Sequence, residues 1–144
     1  MSLIRADLLK EFAFWSTLLV IKILAMALLT ARVRFGKKVF ANPEDNFDKK
    51  SKITTDDPDV ERVRRAHRND LENILPWFVM TPIWLTTGPS YFLAMILIRT
   101  FVAARFVHTL VYAIVPRQPH RAVAFFVGYG ITMYQAISTL LHNL

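Results

Sequence analysis

Residues 61–72 carry the densest set of side chains that could bind a charged ligand. If the segment is helical, four charges fall within about 60° of one another on one face; they are Glu61, Arg65, Arg68 and Glu72. Arg64 and Asn69 flank that stripe, whereas His67 and Asp70 lie roughly opposite. Guanidinium groups bind carboxylates and phosphates through paired hydrogen bonds. The stripe could therefore hold an anion, pair with acids on neighbouring helices, or form a solvated extension outside a membrane.

Later segments add further basic residues. Arg105, His108 and Tyr112 have the spacing i, i+3, i+7 and so share one face of a helix. Arg121 opens a long apolar segment, and Arg34 closes another. Because the arginines of this set outnumber the acids near them, we predict a pocket for an anion with several carboxylates or phosphates.

Long apolar segments must position these residues. Segments 12–31, 91–115 and 122–141 are each long enough to span about 30 Å as helices, which is the thickness of the hydrocarbon core of a bilayer. Segment 74–87 is uncharged but shorter, so a helix built on it must include the charged residues upstream. Lys22 lies in the middle of the first segment, where it needs a carboxylate partner or must extend toward the membrane surface.

Composition agrees with a membrane protein. Of the 144 residues, 53% are hydrophobic and 20% are charged, which excludes a disordered chain. The net charge of +7 does not indicate a nucleic-acid partner, because the basic residues interrupt apolar helices instead of lining a solvated face. The chain contains no cysteine, which excludes disulfides, thiolate metal sites and a cysteine nucleophile. We predict no metal site.

These patterns predict an all-α integral membrane protein with one domain over residues 1–144. Its transmembrane helices are expected at 8–35, 59–87, 90–115 and 119–142. Lysine and arginine concentrate in the connections 32–60 and 116–121, which the positive-inside rule places in the cytosol. Both termini are then expected on the lumenal side.

Several blocks of the sequence, taken in order, resemble the MAPEG family of membrane-associated glutathione and eicosanoid enzymes. The blocks are 38–45, 61–74, 105–112 and 119–130. The resemblance is greatest to the microsomal glutathione S-transferase type 1 branch, and next to the microsomal prostaglandin E synthase branch. It implies a homotrimer in the endoplasmic reticulum (microsomal) or mitochondrial outer membrane. Glutathione would be the co-substrate, held between subunits near the cytosolic side.

The resemblance also implies which residues contact glutathione. The matching positions are Arg34, Arg64, Arg65, His67, Arg68, Asn69, Glu72, His108, Tyr112 and Arg121. The predicted catalytic residues are Arg121, which matches the family's thiolate-stabilising arginine, and Asp45. Asp45 matches an acid proposed to assist proton transfer in the synthase branch; its alternative role is to close the turn that contains it.

The resemblance implies a detoxifying glutathione transferase that attacks lipophilic electrophiles, with glutathione-dependent reduction of lipid hydroperoxides as a companion activity. A first alternative is a prostaglandin E synthase, which isomerises an endoperoxide. Ala122 and Phe125 weaken that alternative, because the synthase branch carries Ser and Tyr at these positions. A second alternative is a non-catalytic protein that binds lipid.

Overall fold

The computed structural model describes residues 4–46 and 50–144. Lys49, in the basic connection predicted above, lies outside the described residues. Within the described ranges the chain forms four α helices; they are α1 (Ala6–Lys37), α2 (Pro58–Leu85), α3 (Tyr91–Thr109) and α4 (His120–His142). The predicted all-helical fold is confirmed.

The structure differs from the predicted elements at two places. The third helix is α-helical only to Thr109 and continues as a π-helical turn over Leu110–Ile114, which carries Tyr112. The connection between α1 and α2 contains two short strands, β1 (Val39–Phe40) and β2 (Lys52–Ile53), which pair in parallel. Strands of two residues are too short to leave a periodic pattern in the sequence.

Helix α2 begins where its first residues satisfy the rules for a helix N-terminus. The Asp57 carboxylate accepts hydrogen bonds from the backbone N–H groups of Asp59 and Val60, at 3.0 and 3.1 Å. Pro58 occupies the first helical position, where a missing N–H is harmless. The Val60 N–H bond is the main cause that lowers the pKa of Asp57 below 3.8, and Lys37 adds to the effect.

The helices pack as a square in which α2 and α3 lie on one diagonal. Helix α1 contacts α2 and α3, and α4 contacts the same two helices. Across the diagonal, the buried indole of Trp77 stacks on the ring of Phe101, with ring centres 4.6 Å apart. Arg99 and Glu11 join α3 to α1 through an ion pair of 2.5 Å.

Among the helices of the described residues, three are apolar enough by length and composition to cross a membrane; they are α1, α3 with its π turn, and α4. Their outer faces carry large exposed apolar side chains such as Phe14, Leu28 and Phe126. Helix α2 does not meet the same criterion, since its first half carries most of its charges.

Candidate anion-binding site

Three charged side chains meet in the interior of the bundle. Lys22 on α1, Asp70 on α2 and Arg105 on α3 are 5%, 0% and 0% exposed. Asp70 accepts a hydrogen bond of 2.6 Å from Arg105 Nη2 through one oxygen, and it forms an ion pair with Lys22 through the other. We call these three residues the interior cluster. Of the two alternatives for Lys22, the structure shows the carboxylate partner.

Arg105 connects the interior cluster to a pocket. Its Nη2 also donates to Asn69 Oδ1 at 2.9 Å and lies 3.2 Å from His108 Nδ1. Both Asn69 and His108 line a hollow of about 290 Å³ between α2 and α4. A single guanidinium group therefore contacts the packed interior and the wall of an open site.

We call this hollow the α2–α4 pocket. The Arg121 guanidinium lies over the ring of Tyr112, 4.5 Å from its centre, in a cation–π contact. The Tyr112 ring in turn meets the edge of His108, with ring centres 5.4 Å apart. Gln118, Ala122, Phe125 and Phe126 complete the lining. The pocket thus combines a cation and polar side chains with an apolar wall.

Two further hollows flank α2. One, of about 160 Å³, adjoins the same two helices and is lined by Glu72, Asn73 and Tyr129 among others. The other, which we call the α1–α2 hollow, has a volume of about 390 Å³. Its lining is Ala27, Thr30, Arg64, His67, Arg68 and Leu71. Both sides of α2 therefore present polar side chains.

The hollows on either side of α3 are different in character. One lies between α1 and α3, measures about 800 Å³ and is lined mainly by apolar residues such as Met26 and Phe106. The other lies between α3 and α4, measures about 550 Å³ and includes Ala103 and Val127. The square thus has a polar side centred on α2 and an apolar side centred on α3.

The structure divides the predicted site residues between these surfaces. Asn69, His108, Tyr112 and Arg121 meet in the α2–α4 pocket, and Glu72 lies in the hollow next to it. The α1–α2 hollow holds the group Arg64, His67 and Arg68. Within one copy of the chain, the predicted residues therefore do not form a single site.

Three predicted residues lie apart from these hollows. Arg65 is exposed on α2, and Arg34 is half-buried near the end of α1. Asp45 belongs to the short 3₁₀ turn Pro43–Asp45 and accepts a hydrogen bond of 3.0 Å from the Asn42 side chain. That contact is the one expected if Asp45 closes the turn, which was the alternative to a role in proton transfer.

The predicted binding residues have few internal charge partners. Within residues 4–46 and 50–144, no acid forms an ion pair with Arg34, Arg65, Arg68 or Arg121, and no base pairs with Glu72. By contrast, Arg62 and Arg64 pair with Asp59 and Glu61 one turn earlier on α2. Of the arginines at the predicted site, Arg64 thus has an internal carboxylate, whereas Arg34, Arg65, Arg68 and Arg121 are available to an external anion.

Two features of the site were missed by the sequence prediction. Gln118 lines the α2–α4 pocket, although only its position three residues before Arg121 could have indicated it. The contact of Arg105 with Asn69 was also missed, since the two side chains lie on helices far apart in sequence.

Comparison with known proteins confirms the predicted family resemblance. The family model described as "MAPEG family" matches residues 12–141. Microsomal glutathione S-transferase 1 from Bos taurus is 43% identical, over 99% of this chain and 95% of the relative. The Homo sapiens protein of the same name is 43% identical, over 96% and 92%. Prostaglandin E synthase from Equus caballus is 41% identical, over 89% and 84%.

Proposed function

Because the chain belongs to the MAPEG family, we propose that it is a membrane-bound glutathione transferase. Glutathione would serve as co-substrate, and the protein would stabilise its thiolate for attack on lipophilic electrophiles. Relatives named as microsomal glutathione S-transferase 1 match nearly the whole chain. The match to a prostaglandin E synthase covers less of the chain, so it supports that alternative less.

The observation that carries this proposal is the convergence of Arg121, Tyr112, His108 and Asn69 on one pocket. Glutathione has two carboxylates, one ammonium group and a thiol. Arg34 and the α2 arginines can form ion pairs with the carboxylates, whereas Glu72 can form one with the ammonium group. Arg121, the cation of the α2–α4 pocket, is left for the sulfur.

The proposed chemistry begins with loss of the thiol proton to solvent. A cation beside the sulfur favours the ionised form, so Arg121 raises the fraction of thiolate at neutral pH. The sulfur then forms a bond to an electrophilic carbon, and the leaving group departs with the electron pair of the broken bond. Arg121 already faces the charge, so little reorganisation is needed during the reaction.

The same thiolate supports the companion activity. Attack on a lipid hydroperoxide breaks the O–O bond, releases the lipid alcohol and leaves an oxidised sulfur on glutathione. A second glutathione then forms the disulfide and releases water. Both activities draw on one proposed role of Arg121.

A complete site is proposed to form between copies of the chain in a homotrimer. One copy would supply the α2–α4 pocket, and its neighbour would supply the α1–α2 hollow. Within the described residues of one copy, the predicted residues of these two hollows do not meet in one cavity. Arg65, Arg68 and Glu72 are exposed on α2, which separates these hollows. Charges exposed at membrane depth are costly, and burial against a second copy or a charged ligand would offset that cost.

This arrangement also orients the protomer. The apolar hollows beside α3 suit contact with lipid, and the polar hollows beside α2 suit contact with protein and ligand. We propose that α2 is the fourth transmembrane helix and that its charged first half lies toward the cytosol. The membrane is proposed to be that of the endoplasmic reticulum or the outer membrane of mitochondria.

The proposal is tested by glutathione conjugation with the full chain in lipid nanodiscs. The assay uses an activated aryl chloride as electrophile and the ultraviolet absorbance of bound thiolate. Arg121→Ala is expected to keep part of the glutathione binding but to lower thiolate absorbance and turnover about 100-fold. Arg117→Ala is the matched control, because Arg117 is an exposed arginine four residues earlier, just before α4.

The outcomes separate the candidate functions. Unchanged turnover in Arg121→Ala would remove Arg121 from the mechanism. Failure of the wild-type protein to bind millimolar glutathione would favour the non-catalytic lipid-binding alternative. Isomerisation of an endoperoxide faster than conjugation would favour the synthase alternative. Ala122→Ser, which restores the synthase-branch residue in the α2–α4 pocket, should then increase isomerisation.

A further inference from the structure

Arg105 holds two side chains of the α2–α4 pocket with the same nitrogen that binds Asp70. Its Nη2 lies 2.6 Å from Asp70 Oδ1, 2.9 Å from Asn69 Oδ1 and 3.2 Å from His108 Nδ1. The Arg105 side chain is 0% exposed. The other oxygen of Asp70 forms an ion pair with Lys22 and accepts a hydrogen bond from the Thr109 hydroxyl. These contacts hold the carboxylate, which in turn fixes the guanidinium in place.

The chemistry of arginine settles which atoms can face it. A guanidinium group donates hydrogen bonds and accepts none. The Asn69 atom at Nη2 is therefore the amide oxygen, so the Asn69 NH₂ group remains available for another partner. Nη2 carries two hydrogens, which Asp70, Asn69 and the more distant His108 Nδ1 share. A proton on Nδ1 would face these donors, so the arrangement favours an unprotonated, accepting Nδ1. The proton of the neutral ring then belongs on Nε2.

Both side chains line the α2–α4 pocket beside Arg121. If the Asn69 oxygen and His108 Nδ1 are both used by Arg105, the atoms that they can offer to a ligand are N–H donors. A pocket that presents a cation and two N–H donors is suited to an anion and rejects a cationic group.

We infer that Arg105 is a positioning residue, which sets the Asn69 amide orientation and the His108 tautomer so that both donate to an anionic group of the ligand. Arg105 does not touch the ligand itself, because it is fully buried. The inference deepens the proposed function and rests on it for the identity of the ligand, with the glutathione thiolate or a carboxylate as the anionic group. The tautomer can be measured without any ligand.

The first test is the nitrogen NMR spectrum of the wild-type chain labelled with ¹⁵N-histidine at pH 7, without glutathione. The chain has 4 histidines, and His108→Gln identifies the signals of His108 by difference. We expect the Nε2–H tautomer, with Nδ1 as a hydrogen-bond acceptor. A Nδ1–H tautomer or a doubly protonated ring would overturn the inference, whether or not the protein binds glutathione.

The second test is Arg105→Met. This variant leaves the Lys22–Asp70 pair intact, so it buries no uncompensated charge. With its donor removed, His108 should show both tautomers, and the KM for glutathione should rise about tenfold. Arg99→Met is the matched control on the same helix, since Arg99 pairs with Glu11 away from the pocket. Its KM should stay within about twofold of the wild-type value.

A double-mutant cycle separates positioning from a general loss of packing. If Arg105 acts through His108, Arg105→Met should raise the KM much less in a His108→Phe background than in the wild-type background. An equal increase in both backgrounds, or an unchanged KM in folded Arg105→Met, would contradict the inference. If Arg105→Met fails to fold, the His108 tautomer measured by NMR in the wild-type chain tests the inference by itself.

Discussion

The interior cluster and the α2–α4 pocket lie side by side, and each contains an arginine, yet their charges are arranged in opposite ways. In the cluster, Lys22 and Arg105 share the carboxylate of Asp70. In the pocket, Arg121 lies against the Tyr112 ring instead, and no described acid pairs with it. We therefore propose that an arginine at membrane depth is structural where the fold supplies its anion, and binds a ligand where the fold supplies none.

Asp70 and Glu72 show how closely these two roles can approach each other in sequence. They are two residues apart on α2, which separates their side chains by about 200° around the helix. Asp70 is buried between two cations, whereas Glu72 is exposed. A carboxylate on the same helix thus forms ion pairs inside the bundle at one position, and at the other it is exposed, where we propose that it faces a ligand or a neighbouring copy.

The largest expected effect comes from removing the anion of the interior cluster. Asp70→Asn leaves Lys22 and Arg105 buried without their carboxylate, and we expect it to lower the free energy of unfolding by about 3–5 kcal/mol. Denaturant unfolding in detergent micelles, followed by circular dichroism, measures this change. A loss below about 1 kcal/mol would mean that water or lipid headgroups reach the cluster.

Glu72→Gln removes the carboxylate charge from the exposed side of α2, as Asp70→Asn removes it from the buried side. Because Glu72 has no basic partner among the described residues, its neutralisation should leave the unfolding free energy nearly unchanged. The KM for glutathione should rise about tenfold, through loss of the contact with the ligand ammonium group. A large loss of stability with an unchanged KM would reverse the assignment of the two carboxylates.

The pocket, unlike the cluster, is expected to be completed by a second copy. Arg68→Ala and Arg121→Ala damage different hollows, so each variant alone should lose most activity. In trimers formed from equal amounts of the two variants, about one quarter of the interface sites should be restored. Each site takes one half from each of two neighbouring copies, and each half is intact in one copy out of two. Activity of the coexpressed, purified mixture measures this recovery. Absence of any recovery would indicate a site built within one chain.

The smallest effect is expected from a charge that is paired but solvated. The pKa of Asp57 is lowered, so its ionised form stabilises the fold above pH 3.8, and that contribution is lost as the pH falls through the folded-state pKa. Asp57→Asn keeps a capping side chain but removes the charge. Its thermal midpoint should lie slightly below that of the wild-type protein at neutral pH, and the two should converge under acid conditions. A gap that persists at low pH would assign the effect to the cap geometry instead.

Much of the fold could be predicted from the sequence because its signals are local. The lengths of the apolar segments indicated the helices, and the spacing within 61–72 indicated which side chains share a face of α2. Arg121 and the α2 arginines were identified as candidate binding residues on the same grounds and on the family resemblance. The two-residue strands and the π turn around Tyr112 could not be predicted from the sequence, because neither leaves a periodic pattern.

The amino-acid sequence specifies the set of charged and polar residues that must find partners inside an apolar bundle. A helical wheel orders residues around one axis, but the rotation of each helix against its neighbours depends on packing such as that of Trp77 on Phe101. That Asp70 neutralises Lys22 and Arg105 while Arg121 faces a pocket therefore depends on how the helices pack in three dimensions. The physical reason is that ion pairs act over a few ångströms, and such distances between separate helices exist only once the helices have packed.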